Sequence, residues 1–587
     1  MGIGLWILWA ILTVALAAVL ELGKHTVLGW ILAAAVMGGF AWYRHTVLAG
    51  AGTGVRIAAW LAVLACAALV LLISRPPVRP VPAVSVKNPE KTEVYQTGKG
   101  PVQGVYNADR TVEVFAGIPY AKPPVGELRF RPPVEAEAWS EVRVCDEFAP
   151  MSMQRVNSTI YSSLAQIIGY HDYKISLSDN YREPVSEDSL YVNVWKPAGA
   201  QEKLPVLVYI HGGSLQTGQP WYQDYSGESF AKDGVVCVNM GYRLGVFGFF
   251  AAEELLAQDG TTGNYGLLDQ ILALQWVQEN IEAFGGDPDN VTIIGESAGA
   301  VCVDALCVSP LARGLFRRAI LESSTVSSAE PPHSYRSFEK AVSSGKDLME
   351  RYGCASVDEL RALPAEKIVG EMDTQHHITV DGSVLPADPY VLRSQGVHNE
   401  EALLHGYNSE ESGPFILFGH ANAKNYEGKV RAFFGEYADR VLALYPGRTD
   451  EEADRNWTDI YSAIYFNYSH YCLNRLALRE GIPVWEYYFS KDNGRLGAWH
   501  SGEMVYTFGV IPEGSKLYDA RDYEVEAEMH RAWVNFAAGG DPNGEGVPAF
   551  AQSTGDGVLM EFGESTGPVE EPMLPLYEIL DEMQGWQ

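Results

Sequence analysis

Val291-Thr292-Ile293-Ile294-Gly295-Glu296-Ser297-Ala298-Gly299 is the stretch whose reading decides the fold. Its first four residues form an apolar, β-branched run of the kind that fills a buried strand. The small-residue run Ala298 to Leu306 that follows suits a helix packed closely on that strand. Between them, Gly-x-Ser-x-Gly lets the backbone turn tightly enough to raise a serine hydroxyl above a sheet, at a helix N-terminus. Strand, sharp turn and helix in that order predict an α/β fold, with Ser297 as the first candidate site residue.

A serine hydroxyl is a weak nucleophile until a base takes its proton, and that base must be oriented by a third group. In an α/β-hydrolase these follow in the order Ser, Asp or Glu, His. Downstream, Gly406-Tyr407-Asn408-Ser409-Glu410-Glu411-Ser412-Gly413 offers an acid in a polar, glycine-bounded loop after the apolar run Ala402–Leu404. Further on, Gly497-Ala498-Trp499-His500 offers a histidine after the strand-like Val484–Phe489. His500 is set apart from the other histidines because its loop lies downstream of both other partners.

Acyl transfer also requires donors for a tetrahedral oxyanion. The strand-like Val206–Ile210 runs into His211-Gly212-Gly213-Ser214-Leu215, where paired glycines let backbone N–H groups face a substrate oxygen unobstructed.

With these stretches in place, the chain resembles the type-B carboxylesterases, the family that also holds the cholinesterases and para-nitrobenzyl esterases. The resemblance runs from about Glu93 to the C-terminus. It rests further on Phe115–Gly126, Leu128–Phe130, Glu187–Asn193, Tyr242–Phe249, Gly263–Asp269, Phe284–Pro288 and Gly539–Asn543. It implies an α/β-hydrolase fold: a large, mostly parallel, twisted central sheet flanked by helices, with helical insertions. Carried over by position, it implies Ser297 as nucleophile, His500 as general base and then acid, and Glu411 as the orienting carboxylate. Glu411 is preferred to Glu410 because the family uses the second acid of this pair. The implied oxyanion donors are the backbone N–H groups of Gly213, Ser214 and Ala298. Glu296 is expected to tune the site or hold the turn, and Glu322-Ser323-Ser324 to lie behind it. Three departures stand out. Ser214 replaces the family's usual Gly or Ala, Leu215 replaces Phe, and Ser189 occupies a position that is Cys in many secreted members.

The first 74 residues differ from the rest. Ile3–Leu20, Val27–Tyr43 and Ile57–Ser74 are uncharged, mostly apolar runs, each near the shortest length that spans a bilayer. Trp6, Trp30, Trp42, Tyr43 and Trp60 include several near the run ends, as interfacial residues would be. These runs predict three transmembrane helices that anchor the chain in a lipid bilayer. Residues 75–92 then read as a Pro-rich linker, and residues 93–587 as the hydrolase domain. The expected location is a cell membrane, multi-pass. The flanking basic residues nearly tie, Arg44 and Arg56 on one side against Lys24, Arg75 and Arg79 on the other. The side facing the hydrolase is left undetermined.

Net charge is −31, and the first 80 residues hold five basic side chains against one acidic, leaving −35 on the remainder. That argues against nucleic acid and against docking on anionic lipid by charge. The odd count of seven cysteines does not read as a disulfide framework. His-Glu-x-x-His, Cys-x-x-Cys and nucleotide-type glycine loops are lacking from the sequence, so no cofactor or metal is expected. His376-His377 reads as a loop. The partner expected is a small-molecule ester, and oligomeric state is left open. Two other classes stay open on the sequence: a binding module that has lost catalysis, and a hydrolase of thioesters, carbamates or amides. The segment 154–182, with Tyr161, Tyr170, Tyr173 and Tyr181, is a candidate lining for the substrate pocket.

Overall fold

A computed structural model describes residues 2–84, 89–155, 182–200, 203–331, 335–369, 376–416, 419–492 and 497–586. Four of the tyrosines singled out above, at positions 161, 170, 173 and 181, lie outside the described residues. The chain forms two compact units, Met1–Val81 with Val156–Pro184, and Pro82–Arg155 with Val185–Gln587.

In the first unit, helices α1 (Gly2–Leu22), α2 (Val27–Thr46) and α3 (Thr53–Ile73) occupy the three apolar runs. All three extend past the uncharged stretches, α1 by taking in Glu21. Arg44 and His45 complete the last turn of α2, and α3 begins before Arg56, whose guanidinium donates to the carbonyls of Leu48 and Ala49 at 3.2 and 3.0 Å. Only a narrow seam is buried, built from Leu16, Leu20, Ala33, Met37, Phe40, Val63 and Val70. Ile11, Val14, Ile31, Leu61 and Leu69 point outward and are exposed. A soluble bundle would place polar residues there; apolar residues on every side suit hydrocarbon. The apolar windows of 18, 20 and 21 residues are long enough to cross a membrane. At 1.5 Å per residue each spans about 30 Å. The turn between α1 and α2 is tied to the end of α3, where His25 Nδ1 and Ser74 Oγ lie 2.9 Å apart and Thr26 N–H donates to Ser74 O. Gly29 permits this approach, since a Cβ there would stand 2.5 Å from Ser74 Oγ.

The second unit is built on a 13-stranded sheet. Its strands are β1 (Lys91–Gln96), β2 (Pro101–Tyr106), β3 (Val112–Pro119), β4 (Arg143–Val144), β5 (Tyr191–Pro197), β6 (Leu204–Ile210) and β7 (Val236–Met240). They continue as β8 (Gly286–Glu296), β9 (Arg318–Glu322), β10 (Ala402–Asn408), β11 (Val484–Phe489), β12 (Val558–Phe562) and β13 (Thr566–Glu570). The spatial order is β1-β2-β3-β5-β7-β6-β8-β9-β10-β11-β12-β13, with β4 on β2. From β7 through β12 every neighbouring pair is parallel, while the two margins are antiparallel apart from the short β4, which runs parallel to β2. The chain passes from β6 to β7 on one side and then crosses to β8 on the other. The carboxyl ends of β6 and β8 therefore flank a reversal of strand order, the place where open α/β sheets leave a crevice.

Both faces of the parallel region are covered, so its strands are apolar on both sides. Val206, Val208 and Ile210 of β6, with Val291 and Ile293 of β8, face helices α4 (Tyr265–Asn280) and α5 (Ala298–Val308). The alternate positions Leu207, Tyr209 and Ile294 face the opposite layer. There α6 (Ala520–Gly539), started by an Asp519–Asp522 capping box, packs Trp533 and Phe536 on Trp485, Tyr487 and Phe489 of β11. A Phe536→Ala substitution removes a fully buried ring set edge-on to Trp485 at 5.9 Å. It is expected to destabilise the unit by about 3–5 kcal/mol, read as a lowered thermal midpoint for loss of structure.

Candidate active site

Ser297 caps β8 in a conformation that L-residues avoid, with φ 55° and ψ −126°, and α5 begins at the next residue. Two glycines allow the turn. A Cβ at Gly295 would lie 2.4 Å from the Gly299 carbonyl carbon, and one at Gly299 would lie 2.1 Å from Ile210 O. The elbow is pinned to the sheet by Ser297 N–H donating to Glu322 O at 2.9 Å.

The acid loop leaves β10 and the histidine loop follows β11, the parallel neighbour of β10. They meet through Glu410 N–H donating to Ala498 O, beside a bridge between Glu410 and Trp499. This backbone role belongs to Glu410, whereas the Glu411 side chain turns inward. Its Oε2 lies 2.6 Å from His500 Nδ1, and His500 Nε2 lies 2.8 Å from Ser297 Oγ. All three side chains expected from the sequence are therefore in one hydrogen-bonded line. An Nδ1–H directed at Glu411 leaves Nε2 to accept the serine proton. Glu411 is fully buried, and burial pushes its carboxyl up to about 8, against the Asn408 N–H and the Ser323 hydroxyl.

On the facing side, β6 runs into His211-Gly212-Gly213-Ser214. Gly213 takes φ 106°, and a Cβ there would stand 2.3 Å from Thr217 O. Among the described residues, the N–H groups of Gly213, Ser214 and Ala298 donate to no other protein atom. Three free donors near the helix end that carries Ser297 are what an oxyanion would use. Ser214 has its side chain exposed, while Leu215 is buried. His211 stacks on Tyr242 at 4.5 Å, and burial holds its imidazole down at about 4, so it stays neutral.

Glu503, Phe415 and Phe466 were not marked by the sequence, whereas Glu296 and Glu322 were expected near the site. Glu503 is buried three residues past His500, taking hydrogen bonds from Ser323 Oγ and Asn408 Nδ2, both at 2.5 Å. Burial and the neighbouring Glu411 push it up to about 7. Glu296 is buried and also stands at about 7, through burial above all. Glu322 accepts from Thr507 and Trp533 beneath them. Phe415 and Phe466 flank the His500 ring at 5.2 and 4.8 Å. Phe466 sits in a π-helical turn, Ala463–Asn467, which no local pattern announces. Ser189, at the position that is Cys in many secreted members, pairs with Ser152 at 3.0 Å, and all seven cysteines are free. His376 is buried, and among the described residues no group of three or more His, Cys, Asp or Glu is placed to hold a metal ion.

A sequence model described as the carboxylesterase family matches residues 91–571. The chain belongs to the carboxylesterase family. It is similar to carboxylesterase 1C of Rattus norvegicus, with 31% identity over 82% of this chain and 91% of the rat protein. The para-nitrobenzyl esterase of Bacillus subtilis is 31% identical over 80% of this chain and 95% of its own length. A crystal structure of a Geobacillus stearothermophilus carboxylesterase superposes with a TM-score of 0.70 at 31% identity, over 84% of this chain and 100% of that one. The fold is that of an α/β-hydrolase, and the protein is a carboxylic ester hydrolase.

The raised carboxyls set a pH dependence for this carboxylesterase. A carboxyl that titrates at about 7 when folded and at 4.5 when unfolded holds an extra proton in the native state between those values. Its stabilisation is complete below the lower value and is lost as pH rises through the upper one. Stability is therefore expected to fall between pH 5 and pH 8, by up to about 3 kcal/mol for each such group. Glu503→Gln should flatten that decline in thermal melts taken across the range.

Proposed function

We propose that the protein is a membrane-anchored serine esterase in which Ser297, His500 and Glu411 carry out two-step acyl transfer. The unbroken line from Ser297 Oγ through both nitrogens of His500 to Glu411 supports this reading above all. His500 takes the Ser297 proton as the oxygen attacks the ester carbonyl, and the backbone N–H groups of Gly213, Ser214 and Ala298 hold the oxyanion. His500 then gives the proton to the departing alcohol. Water repeats the sequence on the acyl-enzyme and releases the acid. Glu411 orients the imidazole and stabilises its cationic form. The Bacillus relative is named for a para-nitrobenzyl ester, which makes aromatic esters the first substrates to assay here.

Ser297→Ala, in the full chain held in detergent, should lower kcat on para-nitrophenyl esters by roughly 10⁴-fold or more. Binding of a non-hydrolysable analogue should be retained. Activity that survives the substitution would remove Ser297 from its role.

The anchor reading rests on α1–α3, which are long and apolar enough to cross a membrane. Three spans put the two ends of the chain on opposite sides. Epitope tags before residue 1 and after residue 587 should therefore be cut by added protease in opposite vesicle orientations. Cutting of both in the same orientation would leave an even number of spans.

A further inference from the structure

His500 is followed by a residue that the triad does not use. Ser501 takes φ 68°, a left-handed conformation that favours glycine, yet it carries a side chain there. Its hydroxyl donates to Glu296 Oε1 at 2.5 Å. That same oxygen lies 3.5 Å from His500 Nε2. The other oxygen, Oε2, faces the oxyanion loop, where a Cβ on Gly212 would stand 2.9 Å from it.

Glu296 Oε1 thus has two neighbours able to share a proton with it, and one of them is the nitrogen that must serve Ser297. Nε2 has a single lone pair. A protonated Glu296 would turn its O–H toward that lone pair and compete with the Ser297 hydroxyl for it. A hydrogen bond from the Ser501 hydroxyl to Oε1 disfavours this route, because it stabilises the ionised, acceptor-only carboxylate over the neutral acid. The surroundings press the other way. Burial and the carboxylates of Glu503 and Glu411 favour the neutral form of Glu296, with His500 and Ser501 opposing them. Glu322 and the phenols of Tyr209, Tyr225 and Tyr487 also face it.

We infer that Ser501 is a positioning residue: its hydroxyl keeps Glu296 an acceptor and so leaves His500 Nε2 to Ser297. This rests on the triad proposed above.

The test is the pH dependence of kcat and KM for the full chain, for Ser501→Gly and Ser501→Ala, and for both in a Glu296→Gln background. In Ser501→Gly, kcat near neutral pH should fall about tenfold, the size of one lost hydrogen bond to a charged group. KM should stay within about twofold, as expected for a change at the chemical step. The acidic limb of the kcat profile should move up by about one pH unit, and activity should recover at higher pH where Glu296 ionises. The thermal midpoint should not drop, because glycine adopts φ 68° freely. In the Glu296→Gln background, removing the Ser501 hydroxyl should move the acidic limb no further.

An unchanged acidic limb in both Ser501 variants would overturn the inference. So would an equal shift with and without the Glu296 carboxyl. Ser297→Ala, run alongside, separates the two readings. An active Ser297→Ala protein sinks the triad, whereas an inactive one beside a wild-type profile for Ser501→Gly sinks only the role of Ser501.

Discussion

The parallel ladder of the sheet continues one residue past the ends of β8, β9, β10 and β11, and the site hangs on that extension. Ser297 N–H donates to Glu322 O, Ser323 N–H to Gly406 O, Ser409 N–H to Phe489 O, and Ser490 N–H to Phe562 O, all at 2.8–2.9 Å. Each bond joins the first loop residue after one strand to the last residues of the next. The loops that carry Ser297 and Glu411 therefore begin as sheet, and the acid loop hands the histidine loop its place through Glu410 and Ala498. Ser297 and His500 are 203 residues apart in the chain and 2.8 Å apart in space. Precision of this kind comes from rigid elements carrying short loops.

Electrostatics is the second constraint. Glu296, Glu322, Glu411 and Glu503 are all buried around one histidine. Isolated carboxylates in such a place would simply take up protons. Each instead has at least one donor aimed at it: Ser501 for Glu296, Thr507 and Trp533 for Glu322, Asn408 N–H for Glu411, and Ser323 with the Asn408 amide for Glu503. Asn408 serves two of the four, its backbone on one and its side chain on the other. Burial still wins in part, which leaves Glu296 and Glu503 at about 7. The charge state of the site is thus poised near neutrality, and its titration belongs to the group rather than to any one member.

What the sequence made legible follows from what is local. The strand, elbow and helix around Ser297 are encoded within a few residues, and so is the strand Val206–Ile210, whose two faces both turn out to be buried. His500 and Glu411 were legible through chain order and family resemblance. The three apolar helices were legible through composition, although helical hydrogen bonding carried all of them beyond the uncharged runs. Phe466 could not be read, because its place depends on a π turn that shifts the helical register. Glu503, three residues past His500, looks like any surface acid until Ser323 and Asn408 are brought to it from two other strand ends. Pairings across loops carry no periodic signature.

Backbone strain is the last feature these contacts explain. Among the described residues, eight non-glycine positions have positive φ, and five of them are Ser214, Leu215, Ser297, Ser323 and Ser501. All five fall in the segments that border the site. Such conformations cost of order 1–3 kcal/mol each and persist only where the surroundings over-determine them. Glycine would relieve the strain at every one of these positions. At Ser297, Ser323 and Ser501, however, the hydroxyl is spent on His500, Glu503 and Glu296 in turn. A short polar side chain on a left-handed backbone reaches inward from a strand end, where a side chain on extended backbone would point along the sheet normal. The ladder bonds at Ser297 and Ser323 hold that backbone in place, so the fold tolerates strain at the points where the chemistry requires a hydroxyl.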